Sequence, residues 1–142
     1  MFVDIKVRGY HLDIYHHVNN GRYLEFLEEG RWEYFGHHGF FQELDASGLA
    51  FVIANINISY RRPAFAGETI RVLTRMEFIG NKSAKAIQEV RLLKEGKVAD
   101  LIVDATVTFC LMDERTQKAT AIVGALRHKL ETMVAEGKAY EH

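Results

Sequence analysis

The sequence predicts an α+β fold in which a long antiparallel sheet wraps around one central helix. Three observations support this prediction. A strongly amphipathic helix is expected to begin near Asn19. Four long segments of alternating apolar and polar residues follow it, as is typical of strands with one buried face. A final amphipathic segment closes the chain. A buried helix and consecutive antiparallel strands form two packed layers, so we expect residues 1–142 to make a single domain.

The composition is that of an ordinary globular protein. With 18 basic and 19 acidic residues, the net charge is −1, which argues against a nucleic-acid-binding surface. The one cysteine, Cys110, excludes an intrachain disulfide and fits a reducing compartment. The first residues carry charges at Asp4, Lys6 and Arg8 and include no long apolar run, so neither a signal peptide nor a membrane span is expected. The cytoplasm is the expected location.

A short strand and a loop are predicted to precede the first helix, which is indicated by apolar residues at i, i+3, i+4, i+7 and i+11. These residues are Tyr23, Phe26, Leu27, Gly30 and Tyr34. Leu24 and Trp32 widen the apolar stripe and indicate a largely buried helix. Asn19 is a suitable N-cap, because its short side chain can accept a first-turn N–H. Gly36 or Gly39 could end the helix.

The four long strands are predicted after a turn-rich stretch at 45–48. They span 52–60, 70–78, 83–93 and 97–112. Pro63 closes the first of them, because proline cannot donate to a strand ladder. The dipeptides Gly80-Asn81 and Glu95-Gly96 mark the turns between the later strands. The last helix presents apolar residues on one side, namely Ile122, Leu126, Leu130, Met133 and Val134.

Asp13 lies in a histidine-rich loop just ahead of the first helix. A carboxylate at a helix N-terminus suits acyl chemistry, because first-turn amides polarise a carbonyl that the carboxylate can attack or hydrate through an activated water. The amides of Asn20, Gly21 and Arg22 are the candidate donors, since first-turn amides lack partners within the helix. Two other interpretations stay open: Asp13 caps a turn, and water or Asn19 satisfies these amides.

Five of the seven histidines lie between His11 and His38, so a metal site has to be considered. No strong ligand signature joins the residues of the loop, which are His11, Asp13, His16 and His17. The adjacent His37 and His38 are better explained by the favourable field at a helix C-terminus. We therefore expect no metal and no cofactor.

Several separated motifs resemble one enzyme family. They are Asp13, His17 to Asn20, Tyr23, Glu28 to Arg31 and Tyr60 to Pro63, and they look like the 4-hydroxybenzoyl-CoA-thioesterase-like branch of hotdog-fold enzymes. Further segments resemble the bacterial long-chain acyl-CoA thioesterase III type within that branch. These are Val7 to Asp13, Arg22 to Glu29, Asn55 to Ile58 and Thr116 to Ala119. The resemblance covers roughly residues 6–134.

The resemblance implies a hotdog fold, hydrolysis of fatty acyl-CoA to free acid and CoA, and a homo-oligomer of hotdog dimers, either a dimer or a tetramer. It implies that Asp13 acts as nucleophile or general base. The remaining residues assigned to the catalytic site are His17, Asn19, Asn20 and Gly21. His17 could orient a water or support the loop, and these two roles stay open. Gly21 and Gly30 stand where better helix formers are expected.

The substrate-binding residues are expected to be Tyr23, Arg61, Arg62, Lys82 and Ser83. Basic groups near the mouth of a cleft suit the phosphates of CoA, although a solvated surface explains each of them singly. An acyl tunnel is expected near Phe26, Trp32, Tyr34 and Phe51. Cys110 is expected to be a buried strand residue, since no basic partner is evident.

Three other functions compete with acyl-CoA hydrolysis. A hotdog hydratase would have a different Asp-to-His spacing and a more elaborate loop motif than Asp13 and His17 provide. A non-catalytic acyl-CoA sensor would keep the tunnel and the basic groups but would not need Asp13. A thioesterase acting on acyl carrier protein would use the same chemistry with a different thioester donor.

Overall fold

The structure is a computed structural model that describes residues 1–139. Three helices span Asn20–His37 (α1), Phe40–Ser47 (α2) and Gly124–Ala139 (α3). Six strands span Phe2–Lys6 (β1), Leu49–Tyr60 (β2), Thr69–Ile79 (β3), Ser83–Lys94 (β4), Lys97–Asp113 (β5) and Lys118–Thr120 (β6). The predicted short strand, first helix, four long strands and last helix are therefore present.

The strands form one sheet in the order β1-β3-β4-β5-β2, with β6 paired to β5. β1 lies antiparallel to β3, with Phe2 opposite Leu73 and Lys6 opposite Thr69. The order differs from a simple run of neighbours, because β2 pairs with β5 and not with β3, the next strand in sequence. Strand periodicity identifies which face of a strand is buried but carries no information about which strand lies beside it.

The segment after α1 contains a helix that the sequence analysis did not predict. Gly39 has φ of 68° and separates α1 from α2, and Gly48 has φ of 68° and ends α2. Both angles lie in the left-handed region that glycine adopts without steric cost. Gly39 is therefore confirmed as a break, but the stretch leading to Gly48 is the end of a helix and not only a turn.

Contacts divide the chain into two compact units. Within the described residues, the first comprises 1–34, 58–74 and 88–105, and the second comprises 35–57, 75–87 and 106–139. The first unit buries apolar residues of α1 and of its strand segments, including Leu27, Ile70, Val72, Val90 and Ile102. The second is centred on aromatic rings: Phe35 lies 5.2 Å from Phe40 and 5.6 Å from Phe109, between ring centroids. The expectation of a single domain over 1–142 stays a prediction.

Gly30 is explained by the packing of α1 in the first unit. A Cβ atom at this position would lie 2.6 Å from Cγ1 of Val72 and 3.1 Å from both Nε2 of Gln88 and Oγ1 of Thr74. Such distances are shorter than van der Waals contact, so only glycine lets the helix approach β3 and β4 this closely. The apparent weakness in the helix sequence is a requirement of its packing.

In the second unit, α3 is joined to the β3–β4 hairpin and to the residue that follows α1. Arg127 donates through Nη1 to the carbonyl oxygens of Gly80 and Ile122 at 3.1 and 3.2 Å. Lys129 donates to the carbonyl oxygen of His38 at 2.7 Å, and so places a positive charge just past the C-terminal end of α1, where it is favoured. None of the helices in residues 1–139 combines the length and the apolar character that a membrane span requires.

Candidate active site

Asp13 organises the loop that leads into α1. Its backbone N–H donates to the carbonyl oxygen of His17 at 2.9 Å. Its Oδ1 accepts the backbone N–H groups of Tyr15 at 2.9 Å and His17 at 3.4 Å. His16, inside this turn, has φ of 63°, and its N–H donates to the carbonyl oxygen of Asp13. The turn-capping interpretation of Asp13 is therefore correct as far as Oδ1 is concerned.

The second carboxylate oxygen of Asp13 has a different environment. Within the described residues, Oδ2 accepts no hydrogen bond, and the side chain is only partly buried. A carboxylate that is anchored through one oxygen and open at the other has a fixed orientation and one available lone-pair face. Turn capping and acyl chemistry are therefore compatible in the same residue.

The first turn of α1 leaves fewer amides available than the sequence suggested. The N–H of Gly21 donates to Oδ1 of Asn19 at 2.9 Å, which confirms Asn19 as the N-cap. The N–H of Arg22 donates to the carbonyl oxygen of Asn19, also at 2.9 Å. The N–H of Asn20 has no acceptor among residues 1–139. Of the three candidate donors, Asn20 is the one that remains unpaired.

Backbone and side-chain contacts hold this helix start against the loop. The N–H of Asn19 donates to the carbonyl oxygen of His11 at 2.9 Å. Nη2 of Arg22 donates to the carbonyl oxygen of Tyr10 at 3.3 Å, and the hydroxyl of Tyr60 donates to the carbonyl oxygen of Asn20 at 3.4 Å. The unpaired amide of Asn20 is thus fixed by residues on both sides of it.

The two histidines that flank Asp13 make different contacts. His11 is buried, and its Nδ1 accepts the backbone N–H of Arg8 at 2.9 Å, so a neutral ring carries its proton on Nε2. Burial, assisted by the positive charge of Arg22, lowers the pKa of His11. The ring of His17 packs edge-on against Phe65 at 5.1 Å between centroids and makes no hydrogen bond to Asp13 in the described chain. Its possible catalytic role stays a prediction.

Tyr23 places a phenol inside the first unit, near the start of α1. The side chain is 2% exposed, and its hydroxyl is the buried side-chain polar atom without a hydrogen-bond partner in residues 1–139. Its ring lies 5.9 Å from Phe26 and 5.8 Å from Tyr60. Burial raises the pKa of Tyr23 to about 12, and the backbone N–H of Ala64 opposes this shift without reaching hydrogen-bond geometry.

The two arginines expected to bind CoA phosphates already have carboxylate partners. Arg61 contacts both carboxylate oxygens of Asp104, through Nε at 3.1 Å and Nη2 at 3.2 Å. Arg62 forms an ion pair with Asp100 through Nη1. Both pairs are solvent-exposed, and exposed pairs contribute only about 0–1 kcal/mol. A phosphate could therefore replace either carboxylate at small cost.

The remaining predicted substrate residues lie in the second unit or on the surface. Lys82 is exposed and Ser83 is half-buried, in the hairpin between β3 and β4. The carbonyl oxygen of Ser83 accepts the N–H of Gly80 at 2.7 Å.

Trp32 is 57% exposed and Leu24 is 41% exposed, so the expected widening of the buried stripe of α1 is wrong at these positions.

A polar cluster in the core of the first unit was not predicted. Arg31 donates through Nη1 to Oε1 of Gln88 at 3.1 Å. Nε2 of Gln88 donates to the carbonyl oxygen of Leu27 at 2.8 Å and to Oγ1 of Thr74 at 2.9 Å. Two sequence signals were available: Arg31 follows Leu27 at the i+4 position of the apolar stripe, and Gln88 occupies an inward position of β4.

Among the described residues, no group of three or more histidine, cysteine, aspartate or glutamate side chains is arranged to hold a metal ion. His38 instead contacts Glu136 through Nε2 at 2.9 Å. Cys110 is half-buried in β5.

The fold and the loop–helix site are those expected of a thioesterase, and comparison with known proteins agrees with this class. A model of the thioesterase-like superfamily matches residues 7–130. The chain therefore belongs to the thioesterase-like superfamily. The family resemblance, the hotdog fold and the thioesterase class that were predicted from the sequence are confirmed.

Individual relatives are also similar over most of the chain. The long-chain acyl-CoA thioesterase FadM of Escherichia coli (strain K12) is 48% identical over 134 residues, which cover 94% of this chain and 99% of that protein. The crystal structure of YbaW, a probable thioesterase from Escherichia coli, superposes with a TM-score of 0.85 at 48% identity, covering 94% of this chain and 98% of that one. The DHNA-CoA thioesterase of Staphylococcus aureus has a TM-score of 0.80 at 18% identity over 99% of this chain and 94% of that chain, and shares the fold.

Proposed function

We propose that this chain hydrolyses medium- to long-chain fatty acyl-CoA thioesters to free fatty acid and CoA. The substrate class is supported by the 48% identity, over nearly the full length of both chains, to a protein named as a long-chain acyl-CoA thioesterase. The observation that carries the mechanism is the pairing pattern of the loop: Oδ2 of Asp13 and the N–H of Asn20 are both unpaired in the described chain, although the groups around each are hydrogen-bonded.

In this mechanism the N–H of Asn20 polarises the thioester carbonyl and stabilises the negative charge that develops on its oxygen. Asp13 acts in one of two ways. As a nucleophile, Oδ2 bonds to the carbonyl carbon, the C–S bond breaks, CoA leaves as a thiolate, and water then hydrolyses the acyl-aspartyl anhydride. As a general base, Asp13 takes a proton from the water that attacks the same carbon.

The other predicted residues have supporting roles in this proposal. Asn19 and Gly21 hold the first turn of α1 so that the N–H of Asn20 stays available, and His17 supports the loop or orients water. Tyr23 lines the site close to the helix start. Arg61, Arg62, Lys82 and Ser83 form the predicted contacts to CoA, which requires the two arginines to exchange a carboxylate for a phosphate.

We also propose a cytoplasmic homo-oligomer that needs no cofactor. β1 and β2 lie at the two ends of the strand order, and β2 is a 12-residue strand. A long unpaired strand edge is normally covered or paired, so joining β2 to a second copy would protect it. Light scattering at low protein concentration should report a dimer or tetramer, and an active monomer would contradict the proposal.

A thiol-release assay tests the activity directly. Acyl-CoA substrates from acetyl to palmitoyl, with benzoyl-CoA alongside, should give a kcat/KM that rises with chain length, because each buried methylene contributes about 0.8 kcal/mol until the tunnel is filled. Preference for acetyl-CoA or benzoyl-CoA would remove the long-chain assignment and leave the thioesterase class standing. Binding of acyl-CoA without thiol release would favour the sensor, and release only from acyl carrier protein would change the thioester donor.

A further inference from the structure

Arg31 is a charged side chain in the core of the first unit. It is 8% exposed, and the hydrogen bond from its Nη1 to Oε1 of Gln88 at 3.1 Å is the one polar contact that its guanidinium makes in residues 1–139. A guanidinium carries five N–H donors and a permanent positive charge. The neutral amide of Gln88 uses one donor and neutralises none of the charge.

No carboxylate of the described chain forms an ion pair with this charge. Glu28, one turn earlier in α1, raises the pKa of Arg31 through its negative charge but forms no ion pair with it. The indole N–H of Trp32 donates to Oε1 of Glu28 at 3.4 Å. Burial lowers the pKa of Arg31, and the negative charge of Glu28 opposes this shift only in part. A largely buried guanidinium that keeps unpaired N–H donors and has no ion-pair partner can bind an anion through charge-assisted hydrogen bonds.

The surroundings of Arg31 are those of a built binding site. Gln88 is fully buried, and its Nε2 donates to both the carbonyl oxygen of Leu27 and Oγ1 of Thr74. These bonds fix the amide orientation, so that Oε1 faces Arg31. The guanidinium nitrogens of Arg31 other than Nη1 make no hydrogen bond in the described chain, but none of them is fully buried. The one fully buried side-chain polar atom without a partner there is the hydroxyl oxygen of Tyr23.

We propose that Arg31 is the cationic half of a carboxylate-binding site, filled by a carboxylate from outside the described chain. The planar fork of a guanidinium matches a carboxylate through two parallel hydrogen bonds, and Gln88 pre-orients it. The carboxylate comes from one of two sources: a fatty acid, or an acidic side chain of a second copy of this chain. The first source rests on the proposed function, because fatty acid is its product.

This site is separate from the reacting centre. At a rise of about 1.5 Å per residue, the part of α1 between Asn20 and Arg31 is roughly 16 Å long. A carboxylate bound to Arg31 is therefore not the acyl group that the N–H of Asn20 polarises. A fatty acid at Arg31 would occupy a second position, and its effect on turnover would differ from simple competition at Asn20.

The test compares octanoate with octanol, which differ in the head group, as ligands of the oligomer by isothermal titration calorimetry. The variants are Arg31→Met, which removes the charge and keeps the length, and Arg31→Lys, which keeps the charge and loses the fork. Arg115→Met, in an exposed turn, is the matched control. If the source is a fatty acid, octanoate binding should weaken about tenfold or more in Arg31→Met and less in Arg31→Lys, while octanol binding and the control stay unchanged.

If the source is a second copy, sedimentation velocity should show the effect instead. Dissociation of the oligomer should then occur at about tenfold or more higher protein concentration in Arg31→Met than in the wild type or Arg115→Met, with octanoate binding unchanged. If Arg31→Met does not fold, Arg31→Lys and the wild-type difference between octanoate and octanol give the same two readouts. Thiol release, measured in parallel, reports on the proposed function independently of both.

The proposal is overturned if Arg31→Met is as stable as the wild type, assembles equally well and binds octanoate with unchanged affinity. That result would mean that Arg31 tolerates burial with Gln88 as its sole partner. Loss of carboxylate binding with thiol release preserved would support the site, and absence of thiol release in the wild type would refute only the proposed function.

Discussion

The side-chain amide of Gln88 donates a hydrogen bond to the carbonyl oxygen of Leu27 at 2.8 Å, and so joins β4 to α1 inside the first unit. The same nitrogen reaches Oγ1 of Thr74 in β3, while Oε1 accepts from Arg31. One fully buried side chain therefore connects one helix and two strands. A satisfied polar group in a core penalises every other alignment of these elements, because any shift would leave its donors unpaired.

Gln88→Leu should lower the free energy of unfolding by about 2–4 kcal/mol, because it leaves the buried guanidinium of Arg31 without its hydrogen-bond acceptor. Urea denaturation measures this change. Gln42→Leu, an exposed position in α2, is the control and should change stability by about 0.5 kcal/mol or less. Equal effects of the two substitutions would show that the polar cluster has no special importance.

Gly30→Ala and Gly36→Ala test the close packing of α1. At Gly30 the added methyl group would lie 2.6 Å from Cγ1 of Val72, so overpacking should cost about 1–3 kcal/mol. At Gly36 nothing lies within 4 Å of a Cβ atom, so alanine should stabilise the helix by up to about 1 kcal/mol. The midpoint of thermal unfolding should therefore fall in Gly30→Ala and rise in Gly36→Ala. A change in the same direction in both variants would contradict close packing at Gly30.

Asp13→Asn should lower kcat by roughly 10²-fold or more, because the amide removes the negative charge needed by either proposed role. The asparagine oxygen can still accept the N–H groups of Tyr15 and His17, so the loop should keep its shape. Asp13→Ala loses both properties and serves as the comparison. Circular dichroism and thiol release should show a folded, inactive Asp13→Asn protein, and full activity in it would exclude Asp13 from the chemistry.

Gly21→Val should impair turnover, measured as kcat/KM, more than it impairs the stability of the folded protein. A Cβ atom there would lie 3.4 Å from Oδ1 of Asn19, so a branched side chain would crowd the cap and the adjacent N–H of Asn20. Thiol release and thermal unfolding measured on the same preparation separate the two effects. Wild-type kcat/KM in this variant would place the thioester away from the first turn of α1.

His11 should make the stability depend on pH. Its folded-state pKa is lowered below the usual 6.5, so protons bind the unfolded state more tightly. Its contribution is fully present above pH 6.5 and is lost as the pH falls below 6.5 towards the folded pKa. Urea midpoints between pH 5 and 7.5 should show a shallower loss for His11→Gln than for the wild type. His128→Gln, at an exposed position, should retain the wild-type slope.

Local structure followed closely from local sequence. The strands predicted at 52–60, 70–78, 83–93 and 97–112 correspond to 49–60, 69–79, 83–94 and 97–113. The N-cap at Asn19 was predicted from its side-chain chemistry and is confirmed by its bond to Gly21. Periodicity, capping and turn residues act within a few positions of one another, so one sequence is enough to identify them.

Tertiary structure decided which residues meet. The position of β2 beside β5, the burial of Arg31 with Gln88 and the necessity of Gly30 against Val72 all depend on segments far apart in the chain. The motif around Asp13 identified the family from sequence alone, but the availability of one amide, that of Asn20, was settled by hydrogen bonds in three dimensions. Periodicity records which face of an element is apolar, whereas partners are selected by packing and by the pairing of buried polar groups.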